Sequence, residues 1–464
     1  MLQIGATDMT IGKEWKAILS FAIPIFISSL FQQLYSSIDS LIVGNYLGDE
    51  SLAAVSSSGS LIFLFTSFFI GCFSGAGVLI SKYFGAKEYD DMKKAIHTNI
   101  AFGVISAVIL TLLGVFLTPH ILRWMNVDPD VLPESIEYFR WYFILVIGVI
   151  LYNCFAGILQ ALGNSLMPLI FLIISSITNV ILDFVFIAVL HLGVMGASIA
   201  TGISQILSAT LCFLFLLRKG TVFRIEIRKI RIHLNMLKQI LIYGIPAGIQ
   251  NSVIGLANVI VQSNINTFGK FAMAGNGVYA KIEGFVFLPV TSFTLSLTTF
   301  IGQNLGAKEY DRAKRGARFG IITSMILAEL IGVILYFVIP YVSSLFTDNQ
   351  EIISYATLQM RTVCFFLFLL AFSHSVAAIQ RGAGRAFVPM IIMLSVWCVF
   401  RVTFVNIAMM IDHNIMILYA IYPITWGISS IIYLFIQLFS NWTHGLESKK
   451  KMENVEEVPS IEKT

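Results

Sequence analysis

The chain has 464 residues, and its 30 Lys+Arg and 26 Asp+Glu make it only 12% charged, about half the ~25% of an average soluble domain. Hydrophobic residues reach 57% and mean hydropathy is +0.83, which leaves too little polar surface to coat a soluble globule and argues against a soluble enzyme, a disordered chain or a nucleic-acid binder. Five Cys without a CxxC spacing give neither a disulfide framework nor a zinc site.

A helix needs about 20 mostly apolar residues to cross the hydrocarbon core. Twelve such stretches are predicted in chain order, at 16–43, 52–81, 95–118, 137–161, 167–190, 194–217, 238–266, 273–303, 316–340, 355–380, 387–411 and 416–440. Pro24, Pro246 and Pro289 fall inside the first, seventh and eighth, where each removes a backbone hydrogen bond and invites a kink. The first stretch is too long for a signal peptide and is flanked by mixed charges (Asp8, Lys13, Glu14, Lys16), so it is expected to remain as a span. The apolar runs are continuous, without the period-2 alternation of a closed barrel.

Lys and Arg set the orientation. Assigning the N-terminus, alternate loops and the C-terminal tail to one side places 24 of the 30 basic residues there. They include Lys82, Lys87, Lys93 and Lys94, the run from Arg218 to Lys238, and Lys308 to Arg318. The other side receives Arg123, Arg140 and Lys270, and the remaining three lie in or beside spans. Both termini are therefore expected in the cytoplasm, which requires an even number of spans.

The chain also contains itself twice. GAKEYD occurs at Gly85–Asp90 and again at Gly306–Asp311, an offset of 221 residues. Ile158–Pro168 pairs with Ile379–Pro389 at the same offset, and FAIPIFISSLF from Phe21 resembles YGIPAGIQNSV from Tyr243. Locally, GAKEYD reads as a helix-terminating glycine followed by a solvated loop. Six spans per repeat make the repeats parallel, related by an axis along the membrane normal. The expected fold is an all-α integral membrane protein of 12 transmembrane helices in two six-helix bundles. Its parts are an N-terminal lobe at 1–217, a basic cytoplasmic linker at 218–236, a C-terminal lobe at 237–440 and a charged cytoplasmic tail at 441–464. Two such bundles enclose a cavity open to one side at a time, the alternating-access design of a secondary transporter. No Walker A motif points to a nucleotide-driven pump.

The duplicated six-helix halves, the Ile23-Pro24 and Ile245-Pro246 first helices, the two GAKEYD segments and LQALGN at 159–164 together resemble the multidrug and toxic compound extrusion (MATE) transporters. The likeness covers about residues 10–440. It implies a bacterial inner-membrane antiporter, monomeric, that exports amphipathic or cationic small molecules. It needs no cofactor beyond H⁺ or Na⁺ as the coupling ion, and it engages lipid and no nucleic acid.

A carboxylate at mid-bilayer costs on the order of 3 kcal/mol on insertion scales. Four acids lie within apolar spans: Asp39, Asp183, Glu283 and Glu329. Asp39 shares a helix face with Tyr35, Ser36 and Gln32. Asp183 has Asn179 one turn before it, and Asn153, Thr201 and Gln205 add polar groups at similar depths in the same half. Two poorly solvated carboxylates a few ångströms apart cannot both stay charged, so the pair takes up a proton. Alternatively both stay ionised around Na⁺, with amide and hydroxyl oxygens completing the shell. A third reading makes them structural acceptors that stitch helices together. The resemblance favours the ion site, because Asp39 and Asn179/Asp183 match the acids of the branch whose coupling site lies in the N-terminal lobe (DinF-like). Thr201 matches its sixth-helix hydroxyl and Asn153 a fourth-helix amide, so Na⁺ would be held by Asp39, Asn179, Asp183 and Thr201.

In the second half the partners of Asp39 and Asp183 are the apolar Val261 and Phe404. That half instead holds Lys281, Glu283, Glu329, Arg361, His374 and Arg401. Glu283 reads equally as a structural salt bridge to Arg401 and as a cation-binding acid of the cavity, while Glu329 is expected to pack between helices and His374 to be a hydrogen-bonded structural residue. Gln250, Asn251, Asn258, Ser57, Ser58 and Ser60 are candidates to line a cavity, with Lys281 and Arg401 as its few cations. A lipid-linked precursor flippase of the same superfamily is the alternative function, and it would be expected to have a strongly cationic cavity. The scattered His residues, with no two at metal-ligand spacing, argue against a membrane enzyme.

Overall fold

The computed structural model describes residues 5–124 and 132–446, and all regular structure among them is helical. The charged tail beyond 446 lies outside the described residues. In the first half α1 is Glu14–Leu47, α2 Asp49–Gly85, α3 Tyr89–Trp124, α4 Leu132–Ile144 with Val146–Ala161, α5 Leu166–Val189 and α6 Gly193–Leu216. In the second, α7 is Leu234–Asn266, α8 Lys270–Gly306, α9 Tyr310–Ser344, α10 Gln350–Gly382, α11 Phe387–Ile411 and α12 Ile415–Phe439. Eleven are long and apolar enough to cross a membrane singly, and α4, bent by 46° between its pieces, makes the twelfth. At 37 residues, α2 and α8 reach ~55 Å, well past a ~30 Å hydrocarbon core. Pro24, Pro246 and Pro289 are carried inside continuous helices.

Each half builds its own apolar core, but the starts of α1 and α7 are exchanged. Ile18, Phe21 and Ile25 of α1 join the second-half core with Val290, Phe293 and Leu297 of α8. Met236 and Ile240 of α7 join the first-half core with Leu79, Ile80 and Ile158. Small residues allow this close approach. Gly71 and Gly75 of α2 lie against the backbone at Gly248 and Gly244 of α7, where an added Cβ would meet main-chain atoms.

The GAKEYD glycines have a role other than the one expected of them. Gly85 is the last helical residue of α2, and a Cβ there would strike the Gln303 carbonyl of α8. Gly306 stands in the same relation to the Lys82 carbonyl of α2. The left-handed position that ends each helix is held by Lys87 (φ 58°) and Lys308 (φ 61°). Glu88 N donates to Tyr83 O and Lys87 N to Phe84 O, and the same pair of bonds recurs at Glu309 and Lys308, a Schellman end. The glycines thus serve the crossing of α2 and α8, and the lysines serve the turn.

Residues 9–14 and Leu446 lie across this same face. Met9 N donates to Gln303 Oε1 (2.9 Å), and Gln303 Nε2 donates to Ala161 O (3.0 Å). Arg312, buried, donates to the carbonyls of Met9, Ile11 and Gly12, and Arg315 pairs with Glu14 at 2.8 Å. Lys82, the repeat partner of Gln303, donates to Leu446 O at 2.8 Å.

Helices α4 and α10 are interrupted at equivalent places, Leu145 and Cys364–Phe366. Neither break carries a proline or glycine. In α10 the Glu329 carboxylate accepts from Phe368 N at 3.2 Å, which satisfies a donor that the break orphans.

Substitutions at these contacts should have measurable costs. Gly85→Val or Gly306→Val forces α2 and α8 apart and is expected to cost about 1–3 kcal/mol, read as a lower thermal midpoint of the purified protein. Glu329→Ala strands the Phe368 N–H and is expected to cost about 1–3 kcal/mol. Glu329→Gln keeps an acceptor and should unfold close to the wild type; equal losses in both would mean that the charge, not the cap, is what matters.

Candidate functional site

Three helices of the first half bring the polar groups together. Asp39 and Tyr35 come from α1, Asn179 and Asp183 from α5, and Thr201 and Gln205 from α6. Their helical spacing turns each pair to one side, and the surrounding apolar residues leave that side only one another to face. Asp183 is fully buried and Asn179 is 2% exposed. Asn179 Nδ2 donates to Thr201 Oγ1 at 3.5 Å and Gln205 Nε2 to Tyr35 Oη at 3.5 Å. Val43 and Ile187, four residues beyond Asp39 and Asp183, share one buried apolar cluster with Tyr138 of α4.

What distinguishes the cluster is its surplus of acceptors. Asp39 Oδ1, Asn179 Oδ1 and both carboxylate oxygens of Asp183 are buried and receive no hydrogen bond. None of the ion pairs among the described residues involves either acid. Ionised carboxylates accept only, and no hydroxyl donates to Asp39 Oδ1 or to either carboxylate oxygen of Asp183. A buried acceptor without a donor costs about 1–3 kcal/mol. A proton or a cation removes that deficit, and another acceptor does not.

The other candidates separate from this cluster. Asn153 donates to Val149 O of its own helix, and with Gln32 it lines a cavity of about 230 Å³ between the halves. Ser28, Ser29, Ser74, Gln160, Thr298 and Thr299 add to the polar part of the lining, which carries no charged residue. Ser36 is exposed and its carbonyl accepts from Ser40. The side chains of Ser57, Ser58 and Ser60 lie outside the described residues. Gln250 is buried with its Oε1 unpaired, and Asn251 is half-buried.

In the second half the expected Glu283–Arg401 ion pair is not formed. Arg401, 1% exposed, donates instead to Asn258 Oδ1 (3.2 Å) and Thr425 Oγ1 (2.8 Å), between the rings of Trp397 and Tyr422. The π-helical segment Leu394–Phe400 immediately precedes it. The wider π turns change the facing of the residues beyond them, and Arg401 is directed to α7 and α12. Glu283 accepts from Tyr279 Oη one turn away at 2.7 Å. Lys281 is exposed, its ammonium over the Phe346 ring. Arg361 is exposed and stacks on Tyr336. His374 packs edge-on to Phe287 and Trp397, and its Nε2 lacks the hydrogen bond expected of it.

Sequence reasoning missed Tyr138, Tyr279, Trp397, Tyr422 and Thr425. Only Tyr279, four residues before Glu283 on one helix face, carried a signal. The others reach their partners from different helices.

The comparisons agree with this architecture. The Probable multidrug resistance protein YoeA of Bacillus subtilis is 28% identical over 90% of this chain and 92% of its own. The Multidrug export protein MepA of Staphylococcus saprophyticus is 24% identical over 80% and 82%. Among solved structures, a MOP superfamily transporter from Pyrococcus furiosus superposes with a TM-score of 0.88 at 22% identity, covering 95% of this chain and 98% of that one. A MATE family transporter in an outward-facing conformation superposes with 0.86 at 22% identity, over 94% and 98%. The MatE family model matches residues 24–185 and again 246–407, the same two copies that the internal repeat marks out. With both halves matched and most of its length within them, the chain belongs to the MatE family.

Proposed function

We propose that the protein is a secondary antiporter of the cell membrane. It exports amphipathic or cationic small molecules in exchange for H⁺ or Na⁺, with Asp39 and Asp183 as the coupling-ion site. The observation that carries the site is the set of buried acceptor oxygens on Asp39, Asn179 and Asp183 without donors. The ion supplies what they lack. As H⁺ it is shared by the two carboxylates, and as Na⁺ it sits between them with Asn179 and Thr201 oxygens. Release exposes the two negative charges to each other, which favours a change of shape that lets water reach them.

The family relatives named for multidrug resistance and export support the cargo class. The 230 Å³ cavity between the halves is the entry to the substrate path. Its uncharged lining fits a promiscuous carrier better than a flippase, which needs cations for a pyrophosphate. The charge asymmetry of the loops supports an orientation with both termini and the linker in the cytoplasm, and on this reading the protein works as a monomer of the branch with its acids in the N-terminal lobe.

In proteoliposomes carrying an amphipathic fluorescent cation, an imposed pH gradient and then a sodium gradient alone identify the coupling ion. Asp39→Asn and Asp183→Asn are each expected to reduce gradient-driven efflux by about tenfold or more, the scale of a typical coupling free energy. Efflux left intact in both variants would overturn the site. Thr201→Val separates the ions. It should weaken the sodium dependence about tenfold if Na⁺ is the coupling ion and leave a proton-driven rate nearly unchanged.

A further inference from the structure

The linker between the halves is pinned to the start of α3 at two points. Glu226 N donates to His97 Nε2 (3.2 Å), and His233 N donates to Thr98 Oγ1 (3.2 Å). Between the pins the chain makes a short 3₁₀ turn, Ile227–Lys229. It encloses a cavity of about 490 Å³ against α3. Five cations line it, Lys93 and Lys94 from α3 and Arg228, Lys229 and Arg231 from the linker, against two carboxylates, Asp90 and Glu226. Lys94 and Lys229 make exposed pairs with Asp91 and Glu226, a kind that contributes little and exchanges readily. Arg231 donates through Nε to the His233 ring. Lys93 and Arg228 form no ion pair among the described residues.

Beside this basic cavity lies a second one of opposite character. It is a groove of about 360 Å³ between α3, α4 and α6, walled by residues such as Ile100, Leu151, Phe155, Ile206 and Phe213. Ile230 of the linker also lines it, and Ile230 sits between Lys229 and Arg231 of the basic cavity. Ile100 likewise follows His97 by one turn of α3. The two cavities therefore share a boundary on both the linker and α3.

We propose that this corner binds an anionic phospholipid, its headgroup phosphate in the basic cavity and an acyl chain in the apolar groove. Charge complementarity selects the ligand. A zwitterionic lipid gains little from five cations, and a soluble phosphate gains nothing from the groove. On the orientation proposed above, the site faces the cytoplasmic leaflet, but binding itself does not depend on that reading or on transport. A bound lipid holds the linker to α3 and so fixes the point where the two halves are joined.

Native mass spectrometry of the purified full chain tests this, with phosphatidylglycerol, phosphatidylcholine of the same chains, and glycerol phosphate as the soluble phosphate. Phosphatidylglycerol is expected to be retained about tenfold better than phosphatidylcholine, and glycerol phosphate should not displace it. Arg228→Gln, Lys229→Gln and Arg231→Gln combined should abolish that preference. Ile230→Ser should weaken retention of both lipids and leave their ratio unchanged. Equal retention of the two lipids by the wild type, an undiminished preference in the triple variant, or displacement by glycerol phosphate at comparable concentration overturns the proposal.

Discussion

A polar group sunk in hydrocarbon has no water to turn to and must find its partner inside the protein. The architecture answers that constraint at several points. Every described span is helical because a helix satisfies its own backbone. Where α10 breaks, Glu329 supplies an acceptor to the orphaned Phe368 N–H. Arg401 takes two neutral oxygens and two aromatic faces in place of an anion. Other buried polar atoms also lack partners, Gln250 Oε1 and His374 Nε2 among them, but at Asp39, Asn179 and Asp183 the unpaired atoms are all acceptors and include those of two carboxylates, a deficit with a sign.

The two halves share a backbone and diverge in chemistry. Helix ends, the left-handed lysines and the breaks in α4 and α10 recur at equivalent positions. The acids of the first half have Val261 and Phe404 as counterparts in the second. A duplicated frame thus holds one proposed ion site rather than two. The exchanged starts of α1 and α7 and the glycine contacts between α2, α7 and α8 tie the halves to each other. Contacts built from glycine are close and shape-specific, yet they interlock no large side chains, which suits surfaces that must part and meet again.

Much of this was legible in the chain alone. Spans declare themselves through local hydropathy, and a repeat through identity at a fixed offset, so the helix order and both copies could be read directly. Asp39, Asn179 and Asp183 were legible for the same reason: an acid within an apolar run is conspicuous wherever it points. The glycines of GAKEYD were misread because a helix end and a helix crossing both select glycine, and only the packing tells which is at work. The Glu283–Arg401 pairing failed because depth along two helices says nothing about facing, and the π segment before Arg401 leaves no clear mark in composition.

The sequence by itself determined the class of the molecule, its twelve spans, its duplication and the short list of acids. Those properties depend on transfer free energies and on residues close in the chain. The tertiary structure alone decided which polar groups meet. It brought Asp39, Asp183, Asn179 and Thr201 into one acceptor-rich cluster and sent Asn153 to the cavity between the halves. It gave Arg401 to Asn258 and Thr425 rather than to Glu283 and set the basic linker beside an apolar groove. Such meetings depend on how helices from distant parts of the chain rotate against one another, and rotation is fixed by packing rather than by any local pattern of residues.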